Sequence, residues 1–504
     1  MNLNKLSIKL ILRITFLLGM ILIVSCLKKP KAKEAKQHNI LFIAIDDLRP
    51  DLGIYNNTVV KSPNLDAIGN EGVVFNNHFV TAPTCGASRA GLLTGLLPRD
   101  SIDITNEVFS EKIAKQKDSP KTESFVHFLR QKGYYTVGVG KISHSPDGLI
   151  YGYGDEIGTE WELPKSWDEM LLDLGNWGTG WNSFFAYSGG KNRTDENKNL
   201  KPYEKANVSD EGYPDGLILK TALKKLNELS EKKEPFFLGV GFFKPHLPFN
   251  SPKKYWDLYD RNQIKTSPNP EIPKNVNLKS LHSSHELNQY KKGEEKASLQ
   301  KPLSEHYSKK LIHAYYASIS YIDNQVGKLM TELEQLGLSD NTIIILWGDH
   351  GWHLGDHRIW GKHTLFERSL KSTFIIKAPQ IKKGSKVNEI VSSIDLYPTL
   401  MELCGFSKPN RLDGQSLVPL LKFQSPDWSN VAYSYYNRGI SVRNERFRLT
   451  KYFRENEEEP NIELYDHIND PNETTNIAKQ EPMIVQKLLK LIDQGDFGIY
   501  KNKN

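Results

Sequence analysis

Two uninterrupted apolar runs, each ending in acid, constrain this chain more than any other feature. Asn39-Ile40-Leu41-Phe42-Ile43-Ala44-Ile45 runs directly into Asp46-Asp47. Thr342-Ile343-Ile344-Ile345-Leu346 runs through Trp347-Gly348 into Asp349-His350. A strand apolar at every position, rather than at every second one, must be covered on both faces, as in a parallel sheet with helices on either side. In open α/β sheets, ligands bind beyond the carboxyl ends of such strands. Three carboxylates brought to that edge repel one another unless a cation neutralises them. Carboxylate oxygens favour a hard ion such as calcium or magnesium, and His350 leaves manganese or zinc open on chemistry alone.

The rest of the chain fits that frame. Residues 63–72, 124–132 and 311–336 read as helices, and residue 88 opens another that reaches 95. Residues 135–139 and 235–241 read as strands. Strands alternating with helices argue for a doubly wound α/β domain. Two long stretches, 147–214 (rich in Gly, Trp, Tyr and Asn) and 262–301 (rich in Lys, Pro, Ser and Asn), read as insertions that shape a pocket. Near Asp427 the pattern changes to short strands at 431–436, 439–443 and 447–452, with a closing helix at 484–492. The expected organisation is therefore a catalytic α/β domain at 39–427 and a small α+β C-terminal subdomain at 428–504. A chain of 504 residues with 38% apolar and 25% charged residues can bury the core this needs.

The first residues read as a lipoprotein signal peptide spanning 1–25. Lys5, Lys9 and Arg13 precede an apolar run at 14–24, too short to span a bilayer but suited to a secretory leader. Ile23-Val24-Ser25-Cys26 resembles a bacterial lipobox, which makes Cys26 the lipid anchor and 26–38 a polar linker. An exported protein held at the membrane, facing the periplasm or the cell surface, is expected. The formal charge of +6 owes much to Lys28, Lys29, Lys31, Lys33 and Lys36 of that linker. No nucleic-acid-binding motif accompanies it, so nucleic acid is not an expected partner.

The most specific segment is Cys85-Gly86-Ala87-Ser88-Arg89-Ala90-Gly91-Leu92-Leu93-Thr94-Gly95. It resembles the type I sulfatase signature, Cys-x-Pro/Ala-x-Arg ahead of a helix ending in Thr-Gly; Ala87 stands where many members have proline. The resemblance looks closest to the iduronate-2-sulfatase-like branch. It extends through Asp46-Asp47-Leu48-Arg49-Pro50, Gly140-Lys141-Ile142-Ser143-His144 and Lys244-Pro245-His246-Leu247-Pro248-Phe249. Further matches are Tyr316-Ala317-Ser318, Tyr321-Ile322-Asp323, Asp349-His350-Gly351-Trp352 and Glu463-Leu464-Tyr465-Asp466.

This resemblance implies an alkaline-phosphatase/sulfatase-like fold, a large mixed sheet flanked by helices. It implies conversion of Cys85 to formylglycine (3-oxoalanine) by a sulfatase-maturing enzyme. It places Ca2+ on Asp46, Asp47, Asp349, His350 and the modified Cys85. Arg89, Lys141, His144, His246 and Lys362 would line the sulfate site, the cations offsetting charge as the transition state forms. One hydroxyl of the hydrated aldehyde would attack sulfur, with His246 as acid for the leaving alcohol and His144 accepting the proton of the second hydroxyl. The expected substrate is a sulfated poly- or oligosaccharide, either a glycosaminoglycan or an algal polysaccharide such as ulvan. Its sugar would meet Trp352 and His353, and a rim that includes Trp177, Trp181, Lys291 and Lys292. His313 reads as a packing histidine. Cys404, in an apolar helical pattern, reads as a core thiol, which leaves the chain without an internal disulfide. Competing readings are a phosphomonoester or phosphonate hydrolase that keeps Cys85 as a thiol, and a glycan-binding surface lipoprotein with an inactive site.

Overall fold

The run at 39–45 is a strand buried at every position, and it lies in the middle of the main sheet. The computed structural model describes residues 37–116, 123–153, 156–194, 198–381, 383–423, 427–454 and 461–500. The expected signal segment, Cys26 and most of the linker lie outside the described residues. The strands of the main sheet are β1 (Asn39–Ile45), β2 (Val73–Phe79), β3 (Tyr135–Gly140), β4 (Glu169–Leu171), β5 (Phe236–Phe242), β6 (Thr342–Gly348), β7 (Phe374–Lys377) and β8 (Ser385–Ser392). Their order across the sheet is β8-β2-β7-β6-β1-β5-β3-β4. β1 pairs in parallel with both β5 and β6, and β3 in parallel with β5. β7 runs antiparallel to its neighbours β6 and β2, which makes the sheet mixed.

Alternate residues of β1 feed two separate cores. Leu41, Ile43 and Ile45 pack with the helices α1 (Pro63–Glu71), α4 (Pro214–Ser230) and α5 (Glu305–Gln335). Ile40, Phe42 and Ala44 pack with α2 (Cys85–Thr94), α3 (Phe125–Gln131) and α6 (Leu396–Leu403). Each fully buried Leu, Ile or Phe contributes about 1.5–3 kcal/mol, so β1 anchors both layers. A smaller antiparallel sheet follows, made of β9 (Ala432–Tyr436), β10 (Gly439–Arg443), β11 (Phe447–Tyr452) and β12 (Ile462–Asp466), paired in sequence order. It packs on α7 (Pro482–Gly495) through Ile440, Val442, Leu449, Leu464, Leu488 and Ile492. β2, β7 and β8 were not among the strands read from sequence. They are short, partly polar or interrupted by a register shift between Val387 and Ile390, so no clean periodicity marks them.

The ends of β1, β3, β5 and β6 lie at one edge, and close backbone approach brings them together. β3 ends at Gly140, whose φ of 74° is left-handed. A Cβ there would sit 2.3 Å from the Gly241 carbonyl oxygen of β5. That same carbonyl accepts the Lys141 N–H at 3.0 Å, which turns Lys141 toward the end of β1. Gly140→Ala combines left-handed strain with a backbone overlap, and should cost about 2 kcal/mol or more. Thermal unfolding is expected to shift down by several degrees; an unchanged midpoint would show that the β3–β5 approach is not tight.

Candidate active site

The sheet edge carries the chemistry. Asp46 and Asp47 follow β1, Lys141 follows β3, the His246 loop follows β5, and Asp349 and His350 follow β6. Asp46, Asp47, Asp349 and His350 are wholly buried. Cys85 is the first residue of α2, and its Sγ lies 3.6 Å from Asp46 Oδ1, 3.4 Å from His350 Nε2 and 3.3 Å from Lys362 Nζ. The helix start is close-packed: Gly86 N–H donates to Asn106 Oδ1 at 2.9 Å. A Cβ on Gly86 would lie 2.6 Å from Asn106 Cα. One N–H of the helix start is therefore already engaged by the protein.

Arg89 ties the cluster together. Its Nε donates to Asp349 Oδ2 at 3.0 Å, one terminal nitrogen to Asp46 Oδ2 at 3.1 Å, and the other to the Lys141 carbonyl at 2.6 Å. Lys141 Nζ pairs with the same Asp46 Oδ2 at 2.5 Å. Lys362 Nζ pairs with Asp47 Oδ1 at 2.9 Å. His350 Nδ1 is 3.3 Å from Asp47 Oδ1. His246 Nε2 faces Glu286 Oε1 at 3.0 Å and Asp47 Oδ2 at 3.8 Å, while its Nδ1 bonds the Leu247 carbonyl at 2.6 Å. His144, which packs on Trp181, has an Nδ1 without a hydrogen-bond partner among the described residues.

These contacts divide the carboxylates. Burial pushes Asp46 up, but Lys141 and Arg89 outweigh it and hold the carboxyl well below its usual range. Burial also pushes Asp47 up, and Lys362 and His350 do not compensate, so its carboxyl stands well above the usual range. Asp47 Oδ2 is buried with no hydrogen-bond partner among the described residues. Burial, aided by Asp46, pushes the Cys85 thiol up to about 12. Burial, with Lys362 adding repulsion, brings His246 down to about 4 against the pull of Glu286. Buried polar groups are almost always satisfied, so an orphaned carboxylate oxygen amid converging acids calls for a cation. Asp46, Cys85, Asp349 and His350, and likewise Asp46, Asp47, Cys85 and His246, offer ligand atoms within 4.8 Å of one another. Each group joins carboxylate oxygens to one imidazole and the Cys85 sulfur, and the carboxylate oxygens suit a hard divalent ion.

The cluster opens into a cavity of about 510 Å³ lined by Cys85, Lys141, His144, His246 and Lys362, with walls from both long insertions. Trp181, Phe184, Phe185 and Arg193 come from the first insertion, and His282, His285, Glu286 and Gln289 from the second. Five of the six residues expected around the sugar do not line it. His353 is wholly buried, and its Nε2 bonds Thr364 Oγ1 at 3.0 Å. The reason is its place in a two-stranded ladder, where it pairs with Gly361 and its ring turns toward His357 and Phe366. Trp352 is also wholly buried and packs against Phe249 and the Lys362 ammonium instead of facing the cavity. Trp177 is buried outside the lining, its Nε1 donating to the Tyr187 carbonyl at 2.9 Å. Lys291 and Lys292 are not in the lining either, whereas Trp181 and His363 are. His313 packs on Trp256 and bonds its carbonyl. Cys404 is a buried free thiol, as is Cys85.

Comparison with known proteins places these features in context. The family model for sulfatases matches residues 38–406. A second model, the C-terminal region of N-sulphoglucosamine sulphohydrolase, matches residues 355–494. A protein named sulfatase from Formosa agariphila is 30% identical over 92% of this chain and 88% of its own length. Mouse iduronate 2-sulfatase is 28% identical over 79% of this chain and 78% of its own. The solved phosphonate monoester hydrolase of Agrobacterium radiobacter shares the fold with a TM-score of 0.71 and 23% identity, covering 91% of this chain and 96% of its own.

A divalent cation is expected to bind this cluster in a way that stability can report. After exhaustive chelation, adding calcium should raise the unfolding temperature, because a ligand at 100 times its Kd stabilises the native state by about 2.7 kcal/mol. Asp47→Asn should weaken that response strongly. No thermal response to calcium, magnesium, manganese or zinc would rule out a metal at this cluster.

Proposed function

The chain belongs to the sulfatase family and is a sulfuric ester hydrolase; from that premise we propose that it releases sulfate from sugars of a sulfated poly- or oligosaccharide, with Ca2+ and a formylglycine made from Cys85. The observation that carries this reading is the placement of Cys85, at the start of α2 and in contact with Asp46, His350 and Lys362. An iduronate-2-sulfatase-like specificity is supported by the mouse relative's name and by the motifs quoted above. Glycosaminoglycan and algal polysaccharides such as ulvan both remain within that class.

Calcium would fit Asp46, Asp47, Asp349, His350 and the modified Cys85, neutralising the acids, and the hydrated aldehyde would supply the nucleophilic hydroxyl. The side chains around it have separate tasks. Arg89 is committed to Asp46 and Asp349, so it fixes the site's shape. Lys362 Nζ, 3.3 Å from Cys85 Sγ, can donate to an ester oxygen at the reacting centre and offset its developing charge. Lys141 can do the same from the opposite carboxylate, with its ammonium also 4.0 Å from the Phe184 ring centroid. His246, oriented by the Leu247 carbonyl and Glu286, can hold a proton for the leaving alcohol. His144 lines the same cavity with an Nδ1 that has no hydrogen-bond partner among the described residues, and can accept one.

The reading extends to location and maturation. The sequence pattern of residues 5–26 supports export and a lipid anchor on Cys26, at the periplasm or cell surface. The Cys85-Gly86-Ala87-Ser88-Arg89 segment supports a sulfatase-maturing enzyme as a partner before folding is complete, since Cys85 is buried in the folded chain.

Peptide mass spectrometry of active protein should show the mass change of CH2SH becoming CHO at Cys85. Cys85→Ser, with a hydroxyl but no geminal diol, should lose turnover by about a thousandfold or more, ~4 kcal/mol. Full activity with an unmodified thiol would refute the formylglycine and favour a thiol-based ester hydrolase.

A further inference from the structure

One buried cation of the cavity has no counter-ion among the described residues. Arg193 is 6% exposed and lines the pocket; its guanidinium faces the Tyr290 hydroxyl, while its Nε has no hydrogen-bond partner and the side chain no ion pair among the described residues. Lys141 and Lys362, the other deeply buried cations of the lining, are each paired with an aspartate. Arg193 instead lies on aromatic rings. Its guanidinium carbon is 3.3 Å from the Phe185 ring centroid and 5.7 Å from that of Tyr153. Stacking on an aromatic face offsets part of the cost of burying the charge and holds the planar fork, leaving its Nε side for bonding to an oxyanion. Glu286, the carboxylate among the described lining residues, is engaged by His246 at 3.0 Å and by Lys362 at 3.9 Å. Lys198 stands in the same lining, its Nζ donating to Gln289 Oε1 at 3.0 Å, so positive charge clusters on this wall.

We infer that Arg193 is a specificity-determining residue that binds a second oxyanion of the substrate, a carboxylate or a second sulfate on the sulfated sugar. The inference rests on the saccharide sulfatase reading of this cavity. Sulfate at the reacting centre has its own cations in Lys141 and Lys362, so a substrate with one sulfate and no other charge leaves Arg193 buried with no counter-ion among the described residues. A site whose polar group is stranded by the wrong ligand discriminates strongly against it. Phe185 and Tyr153 would then border the sugar ring beside that group. Arg193 takes the role expected of His353, which is bonded to Thr364 and out of reach.

The test compares matched ligands on the matured, metal-loaded protein. One pair is a sulfated uronic-acid disaccharide and its carboxyl-reduced analogue; the other is a disulfated neutral disaccharide and its monosulfated counterpart. The wild type should prefer the more anionic member of at least one pair by about tenfold or more in kcat/KM, mainly through KM. The pair that shows the preference identifies the oxyanion. Arg193→Met should bring that ratio close to one, and Arg193→Lys, which keeps charge without the fork, should give an intermediate ratio. Because both measures are ratios within one protein, a partial loss of folded protein cancels. The same preference, measured as Kd by calorimetry, needs no turnover. If binding shows the Arg193-dependent preference but no sugar sulfate is released, Arg193 stands and the saccharide sulfatase reading falls. If sulfate is released and the preference is absent, or is equal in wild type and Arg193→Met, the inference is overturned and that reading stands.

Discussion

The site depends on one guanidinium. Arg89 is wholly buried and its fork reaches from α2 to Asp46 after β1 and to Asp349 after β6, with a further bond to the Lys141 carbonyl after β3. Three strand ends are thereby held to one helix. Burying such charges is costly, and the cost is recovered only where geometry and hydrogen bonding are nearly complete. Cys85 and Arg89 are four residues apart on α2, so they share a face of the helix. Anchoring Arg89 therefore sets Cys85 Sγ between Asp46, His350 and Lys362. Any shift of α2 would break the guanidinium's bonds before it moved the sulfur far.

The remaining geometry follows from charge. Asp46 and Asp349 are satisfied by Arg89, and Asp46 by Lys141 as well; Asp47 is reached by neither, and one of its oxygens has no hydrogen-bond partner among the described residues. A hard cation placed there meets the surplus. The same carboxylates hold two ammonium groups in a buried place, where they act on a substrate anion in a low dielectric and without reorganisation. The walls are built differently, from Trp181, Phe184, Phe185 and Tyr153, with Arg193 stacked on them. The proposed reading therefore assigns the sulfate ester to the charged floor and the choice of sugar to the aromatic wall.

Most of the floor was legible in the sequence. Asp46, Asp47, Asp349 and His350 sit directly after apolar strands, so strand-end logic pointed to them, while Cys85 and Arg89 were marked by the segment's resemblance to the sulfatase signature. Lys141, His144, His246 and Lys362 came with the family resemblance, and all four line the cavity with Cys85. The walls were not legible. Glu286, His282 and Arg193 lie in long stretches with no periodicity, where sequence distance says nothing about which side chain turns inward. Glu286 sits in a helix of four residues, too short to carry a pattern. His353 failed for a related reason. It neighbours a metal-site motif in sequence, but a two-residue strand reverses which side chains face inward, and that strand is too short to be read.

The central claim is that this buried arrangement of acids and cations, with a modified Cys85, hydrolyses sulfate esters in preference to phosphate esters. The most direct measurement is the kcat/KM of the matured, calcium-loaded protein on an aryl sulfate and on the corresponding aryl phosphate, under identical conditions. The account predicts faster turnover of the sulfate, by about a hundredfold or more, ~2.7 kcal/mol. Equal turnover of both esters, or faster turnover of the phosphate, would contradict it.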